Sequence, residues 1–264
     1  MKFHRLFAYK LYRRFDKVRS EYELLKIEHD GSGALGMLET LFTRFHAPLK
    51  TETLENFVSL AENQDCRDLA QLFSSYGSDK STIHNYHYIY EYLLRGKRNA
   101  ALQILEIGLG THHPDVPSNM GAEGKPGASL RAFRDWAPHA MIFGADVDQR
   151  VLFSENRIST YYVDQLQTDT LRELASRFSP GTFDLLIDDG LHTPEANVNF
   201  LNTALDLVKD DGRIVIEDVA EKHLSFWSFV SWALEGRFEV RFIKTRHSCV
   251  VVLRKIAGIK SLSS

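Results

Sequence analysis

Leu102-Gln103-Ile104-Leu105-Glu106-Ile107-Gly108-Leu109-Gly110 is the stretch on which the fold turns. A short apolar run ends here in an acid and two glycines. That is how a buried strand reads when it feeds a turn passing close to a ligand, since glycine leaves room for the backbone. Outward from this strand the texture repeats. Short apolar runs at 102–107, 141–145, 158–163, 183–187 and 213–216 alternate with amphipathic stretches at 129–136, 170–178, 195–208 and 225–234. Strands alternating with helices give an α/β fold with a doubly wound, mostly parallel sheet. Thr168 or Asp169 and Thr193 stand where helix N-caps belong. Two last runs, 238–243 and 249–253, are too close together for a helical crossover, so they form an antiparallel hairpin and bring the sheet to seven strands.

Upstream, residues 23–73 show helical spacing, as in Leu54, Phe57, Val58 and Ala61, interrupted near Gly31 and at Pro48. The domain reading is therefore a small helical N-terminal region over 1–75, a Rossmann-like domain over 76–256 and a flexible tail over 257–264. The 264 residues are 44% hydrophobic and 25% charged, an ordinary globular balance. A net charge of −3 argues against a nucleic-acid partner, which calls for a strong basic excess. Two cysteines, Cys66 and Cys249, make a poor disulfide framework and fit reduced thiols in a cytoplasm. No apolar run approaches the ~20 residues of a membrane span. Residues 1–20 carry +6, and Phe3, Phe7, Leu11 and Phe15 recur every four positions among the cations. Such a helix either docks on protein or makes peripheral membrane contact.

The strand ends carry the chemistry. A dinucleotide fingerprint needs a third glycine where His113 stands, which weighs against NAD. An acid just ahead of the glycines suits the cationic amino acid end of S-adenosylmethionine, so Glu106 is a candidate; capping the turn is its plain alternative. Asp146, ending the second strand, can accept ribose hydroxyls, and Asp164-Gln165, ending the third, can face an adenine. Asp188-Asp189-Gly190-Leu191-His192 and Glu217-Asp218 end the next two. Asp189, Glu217 and Asp218 form a partial oxygen cage of the kind magnesium prefers, leaving positions open for a substrate hydroxyl. His192 stands ready to take its proton. The alternatives are a surface or capping histidine and acids neutralised by Lys222 or Arg213.

Taken together, Ser78-Asp79-Lys80, Leu105 to Gly108, Gly127-Ala128-Ser129-Leu130-Arg131, Asp164-Gln165, Ile187 to His192 and Ile216-Glu217-Asp218 resemble the macrocin and mycinamicin type of sugar O-methyltransferase. The resemblance covers roughly residues 76–219. It implies a class I methyltransferase fold, a bound magnesium ion and transfer of a methyl group to a hydroxyl of a sugar, a glycosylated small molecule or a glycan. It also implies cofactor contacts from Ser78, Glu106, Gly108, Ser129, Asp146, Asp164 and Gln165, metal binding by Asp189, Glu217 and Asp218, a general base at His192, and a homo-oligomer. Gly110, the second glycine of the turn, is a further cofactor-binding candidate. Leu191 departs from the serine frequent in that family, and residues 111–125 make a longer loop than its compact glycine turn. Two rival readings stay open: a catalytically silent cofactor-binding or interaction protein, and a metal-dependent hydroxylase on the same scaffold.

Overall fold

The structure is a computed structural model that describes residues 49–58 and 63–258. By contacts the chain divides into units 1–49 and 50–264. The amphipathic basic stretch at 1–20 lies outside the described residues, as does most of the 257–264 tail.

The second unit opens with β1 (Thr51–Thr53), the single turn α1 (Leu54–Phe57), then α2 (Gln64–Tyr76) and α3 (Tyr86–Leu94), joined by a 3-10 turn at Asp79–Ser81. The central strand β2 (Gln103–Ile107) leads through a long loop to α4 (Ala128–Trp136), β3 (Met141–Asp146), β4 (Ser154–Glu155), β5 (Ile158–Tyr162) and α5 (Thr168–Ala175). The chain then returns as β6 (Phe183–Asp188), α6 (Pro194–Leu207), β7 (Val208–Val219), α7 (Leu224–Ala233), β8 (Phe238–Lys244) and β9 (Cys249–Lys255). The strands form one sheet in the order β1-β8-β9-β7-β6-β2-β3-β5-β4. The central run β7-β6-β2-β3-β5 is parallel, and β9 joins antiparallel between β7 and β8. The fold is the expected doubly wound α/β sheet with its antiparallel hairpin. Seven strands follow the expected pattern, and β1 and β4 lengthen the two edges. Strands of three and two residues carry no readable period, so the sequence could not announce them.

Alternate faces of β2 separate the two halves of the core. Ile104 is in register with Ile142 and Leu185. All three are fully buried with Phe73, Phe133 and Trp136 of α2 and α4. Across the sheet, Phe143, Phe178 and Phe183 pack edge to face at 4.9–5.6 Å, a favoured geometry for ring quadrupoles. Thr193 caps α6 as expected, accepting from Ala196 N. Neither Thr168 nor Asp169 caps α5: Gln167 occupies that position without a side-chain capping bond, and Thr170 instead donates back to the Asp164 carbonyl. This local bond competes with the cap.

Strand order reverses at β2, with β3 on one side and β6 on the other. Ligands in open α/β sheets bind where this reversal opens a crevice beyond the carboxyl ends of the strands. Ile107 pairs with both Ala145 and Asp188, and Asp188 pairs with Ile216. Gly108, Asp146, Asp189 and Glu217 therefore leave the sheet at one level.

Candidate active site

Beyond those strand ends lies a cavity of about 270 Å3 lined by Gly108, Gly110, Asp146, Asp164, Gln165 and Asp189, with Val116, Pro117 and Ser118 of the long loop as a further wall. Asp146 accepts from the backbone N–H groups of Leu109 (2.8 Å) and Asp148 (2.8 Å), so it also shapes the glycine turn. Burial raises its pKa. Asp164 accepts from Leu166 N and Gln167 Nε2. Gln165 does more than line the wall, since its amide donates to Asp188 (2.7 Å) and its carbonyl accepts from Leu191 N (2.9 Å). It thereby clamps the turn that carries His192. Asp188 is fully buried and also accepts from Asn197. Burial raises its pKa against these bonds.

Ser78, Glu106 and Ser129 are not among the residues lining that cavity. Ser78 accepts from Lys80 N at the start of the 3-10 turn. Ser129 donates to Glu106 Oε1 at 2.8 Å, and Glu106 Oε2 is buried without a hydrogen-bond partner. Burial, opposed by the charge of Lys80, pushes the Glu106 carboxyl up to about 7.

The acids expected to hold a cation divide into two groups. Asp189, His192 and Asp218 bring one potential ligand atom each to within 4.8 Å of one another. Oxygen donors flanking an imidazole, partly open to solvent, are a donor set that a divalent cation accepts. Glu217 is buried on the same side but engaged elsewhere: both its oxygens accept from Lys80 Nζ at 2.8 and 2.7 Å, and one accepts from the Tyr90 hydroxyl. Lys80 also donates to Asp189 Oδ2 at 2.6 Å and has Glu106 at 3.4 Å. Burial alone would lower the lysine pKa, but the Asp189, Glu217 and Glu106 carboxylates together hold it well above normal. For Glu217 burial and the charge of Asp189 act the other way and raise its pKa. Neither Lys222 nor Arg213 neutralises these acids; Arg213 bonds Asp211 instead.

Asp218 accepts from the Tyr86 hydroxyl (2.6 Å) and from Ser248 Oγ (2.8 Å). Burial opposes its ionisation, but these two donors lower its pKa overall. Adjacent residues of a regular strand face opposite ways. Here the register between β7 and β9 shifts between Ile216 and Val219, and Asp218 takes a φ of +53°. This bulge lets both carboxylates meet the 80–90 segment. His192 also has positive φ, +58°, with Nε2 3.9 Å from Asp189 Oδ1 and a buried Nδ1 that has no hydrogen-bond partner. A non-glycine residue held in that region is strained, and such strain gathers at functional sites.

Residues 120–219 match the family model described as Methyltransferase domain. This chain carries a methyltransferase domain.

The 8-demethyl-8-alpha-L-rhamnosyl tetracenomycin-C 2'-O-methyltransferase of Streptomyces olivaceus is 31% identical over 202 residues, 76% of this chain and 50% of that protein. Demethylmacrocin O-methyltransferase of Streptomyces fradiae is 33% identical over 154 residues, 58% of this chain and 36% of that protein. The chain thus spans half or less of these curated relatives. Among solved structures, the mycinamycin-pathway methyltransferase MycE in complex with Mg, SAH and mycinamycin VI superposes with a TM-score of 0.57 at 27% identity, covering 74% of this chain and 57% of that one. The methyltransferase domain therefore has the class I fold and resembles the macrocin and mycinamicin type of sugar O-methyltransferase.

Tyr86, Tyr90 and Ser248 bond the acids of the strand-end rim, although the sequence did not single them out. Their signal was faint. Tyr86 and Tyr90 share one face of α3 at i, i+4 spacing, but two tyrosines on a helix read as core. Lys80 stood out as the end of the Ser78-Asp79-Lys80 motif, without a role in the chemistry, whereas its side chain is 2% exposed and holds the buried acids.

Proposed function

We propose that this chain transfers the methyl group of S-adenosylmethionine to a hydroxyl of a sugar, a glycosylated small molecule or a glycan, and uses a divalent cation, magnesium by donor chemistry. The convergence of Asp189, His192 and Asp218 within 4.8 Å, beside a cavity that Asp189 lines together with Asp146 and Asp164, carries the reading. We take residues 76–256 as the reacting domain.

Asp146, Asp164 and Gln165 would hold the nucleoside end of the donor, and Gly108 and Gly110 would let its chain pass close to the backbone. Glu106, with Ser129 behind it, would face the amino acid end. Asp189 and Asp218, with Glu217 next to them, would hold the cation. When bound, that ion acts as a Lewis acid on a hydroxyl oxygen. His192 Nε2 would accept the hydroxyl proton as the new C–O bond forms and the S–CH3 bond breaks in line, leaving neutral S-adenosylhomocysteine. Alignment of the two reactants in one crevice contributes much of the acceleration.

The deciding experiment is methyl transfer to a panel of glycosylated acceptors, with and without chelator, after donor binding has been shown. A product heavier by one methylene group, lost on chelation, supports the proposal. Product heavier by one oxygen points to the hydroxylase, and donor binding without transfer across the panel points to the silent scaffold.

Donor binding should depend on pH through Glu106. Burial pushes its carboxyl up to about 7 against the charge of Lys80, and the ionised form is the one that attracts an ammonium group. Donor binding lowers that pKa, so S-adenosylhomocysteine should bind more tightly as pH rises toward 7 and level off above it. The gain approaches tenfold per pH unit below the free-state pKa. Titration calorimetry between pH 5.5 and 8 should show this slope in the parent chain and a flat profile in Glu106→Gln. An equal slope in both would remove Glu106 from donor recognition.

Self-association and peripheral membrane contact through residues 1–20 remain expectations for sedimentation and membrane-fractionation measurements. No helix among the described residues is long and apolar enough to cross a membrane.

A further inference from the structure

The ammonium group of Lys80 stands between two places that the proposed reaction uses for different ligands. On the cation side it donates to Asp189 Oδ2 at 2.6 Å and to the two Glu217 oxygens at 2.8 and 2.7 Å. On the donor side Glu106 Oε1 is 3.4 Å away, and Glu106 Oε2 is buried and unpartnered. Water screens these interactions little, because Lys80 and Glu217 are 2% exposed and Glu106 1%. Three carboxylates thus share one buried positive charge.

We infer that Lys80 is a positioning residue that couples donor binding to cation binding through its simultaneous hold on Glu106, Asp189 and Glu217. The inference rests on the functional reading above, in which a divalent cation arrives at Asp189 and the donor's ammonium group at Glu106. A cation at Asp189 draws on the carboxylate charge that now holds Lys80 and repels its ammonium. The flexible lysine stem lets that group shift toward Glu106, whose distance of 3.4 Å leaves room to close. Glu106 then has less charge to offer the donor. Linkage requires the reverse as well, so donor bound at Glu106 weakens the cation by the same factor. Each ligand opposes the other through one side chain.

Calorimetric titration of S-adenosylhomocysteine into the full chain, with and without saturating Mn2+, tests this directly. In the parent chain Mn2+ should weaken the binding about fivefold or more, the lower range of measured site-to-site couplings. In Lys80→Met, which keeps the unbranched stem and loses the charged end, both ligands should still bind and the ratio should fall toward one, with the melting curve reporting the folded state. Should that variant fail to fold, Lys80→Gln, uncharged but still able to donate hydrogen bonds to these carboxylates, makes the same measurement and should likewise bring the ratio toward one. A parent chain in which Mn2+ leaves donor binding unchanged or tightens it overturns the inference, and so does an unaltered ratio in the variants. Failure of the parent chain to bind S-adenosylhomocysteine or Mn2+ at all is a different result, which overturns the functional reading itself.

Discussion

His192→Ala is expected to lower turnover about 10²- to 10⁴-fold, the usual range for loss of a positioned general base, while S-adenosylhomocysteine binds as before. The expectation comes from how firmly the imidazole is held. Its backbone sits at φ +58°, a conformation imposed by a turn whose preceding residue, Leu191, is tied to Gln165, itself bonded to the buried Asp188. Replacing the side chain leaves that scaffold intact, so loss of turnover would report chemistry and not collapse. His192 also belongs to the trio that can surround a cation, and the same variant separates the two roles. A base alone leaves Mn2+ affinity unchanged, whereas a ligand takes Mn2+ affinity with it. Full activity in His192→Ala would sink the assignment of the base.

Gly108→Ala should be the most damaging small change in the crevice. Gly108 has φ +95°, and a Cβ built there would stand 2.0 Å from the Asp189 carbonyl oxygen and 2.4 Å from its carbon. Those are backbone atoms at the end of the neighbouring strand, so no rotamer change relieves the clash. The left-handed backbone alone costs an alanine about 1–2 kcal/mol, and displacement of the strand end brings the loss to about 3 kcal/mol or more. For a domain of this size that corresponds to roughly 6–12 °C in Tm. Donor binding should be lost as well, because Gly108 and Asp189 both line the cavity. Gly96→Ala provides the contrast. Gly96 has φ +74° with nothing within 4 Å of a built Cβ, so it should lose about 1–2 kcal/mol from backbone strain alone and keep its donor affinity. Equal losses in both variants would mean that the close approach at Gly108 does not matter.

Much of this architecture could be read in one dimension. The runs 102–107, 141–145 and 183–187 became β2, β3 and β6 within a residue or two, because buried parallel strands leave continuous apolar stretches and the helices between them repeat at 3.6 residues. The acids at the strand ends were equally legible: parallel neighbours in register end at one level, so Asp146, Asp189 and Glu217 had to meet at one rim. The short edge strands β1 and β4 were not legible, being too brief to show a period. Nor was the absent cap at Thr168, since a capping residue type says nothing about the competing bond from Thr170 to the Asp164 carbonyl.

Local periodicity and residue type were enough to settle the α/β class, the hairpin at the end of the sheet and the chemical character of its acidic rim, since each depends on neighbours along the chain. The partner of each acid was settled elsewhere. The bulge at Glu217-Asp218 lets two adjacent carboxylates meet the same segment. Lys80, 137 residues from Glu217, supplies the buried charge that Glu217 shares with Asp189. Such pairings follow from long-range packing of the 78–90 segment over the sheet, and no spacing along the chain encodes them.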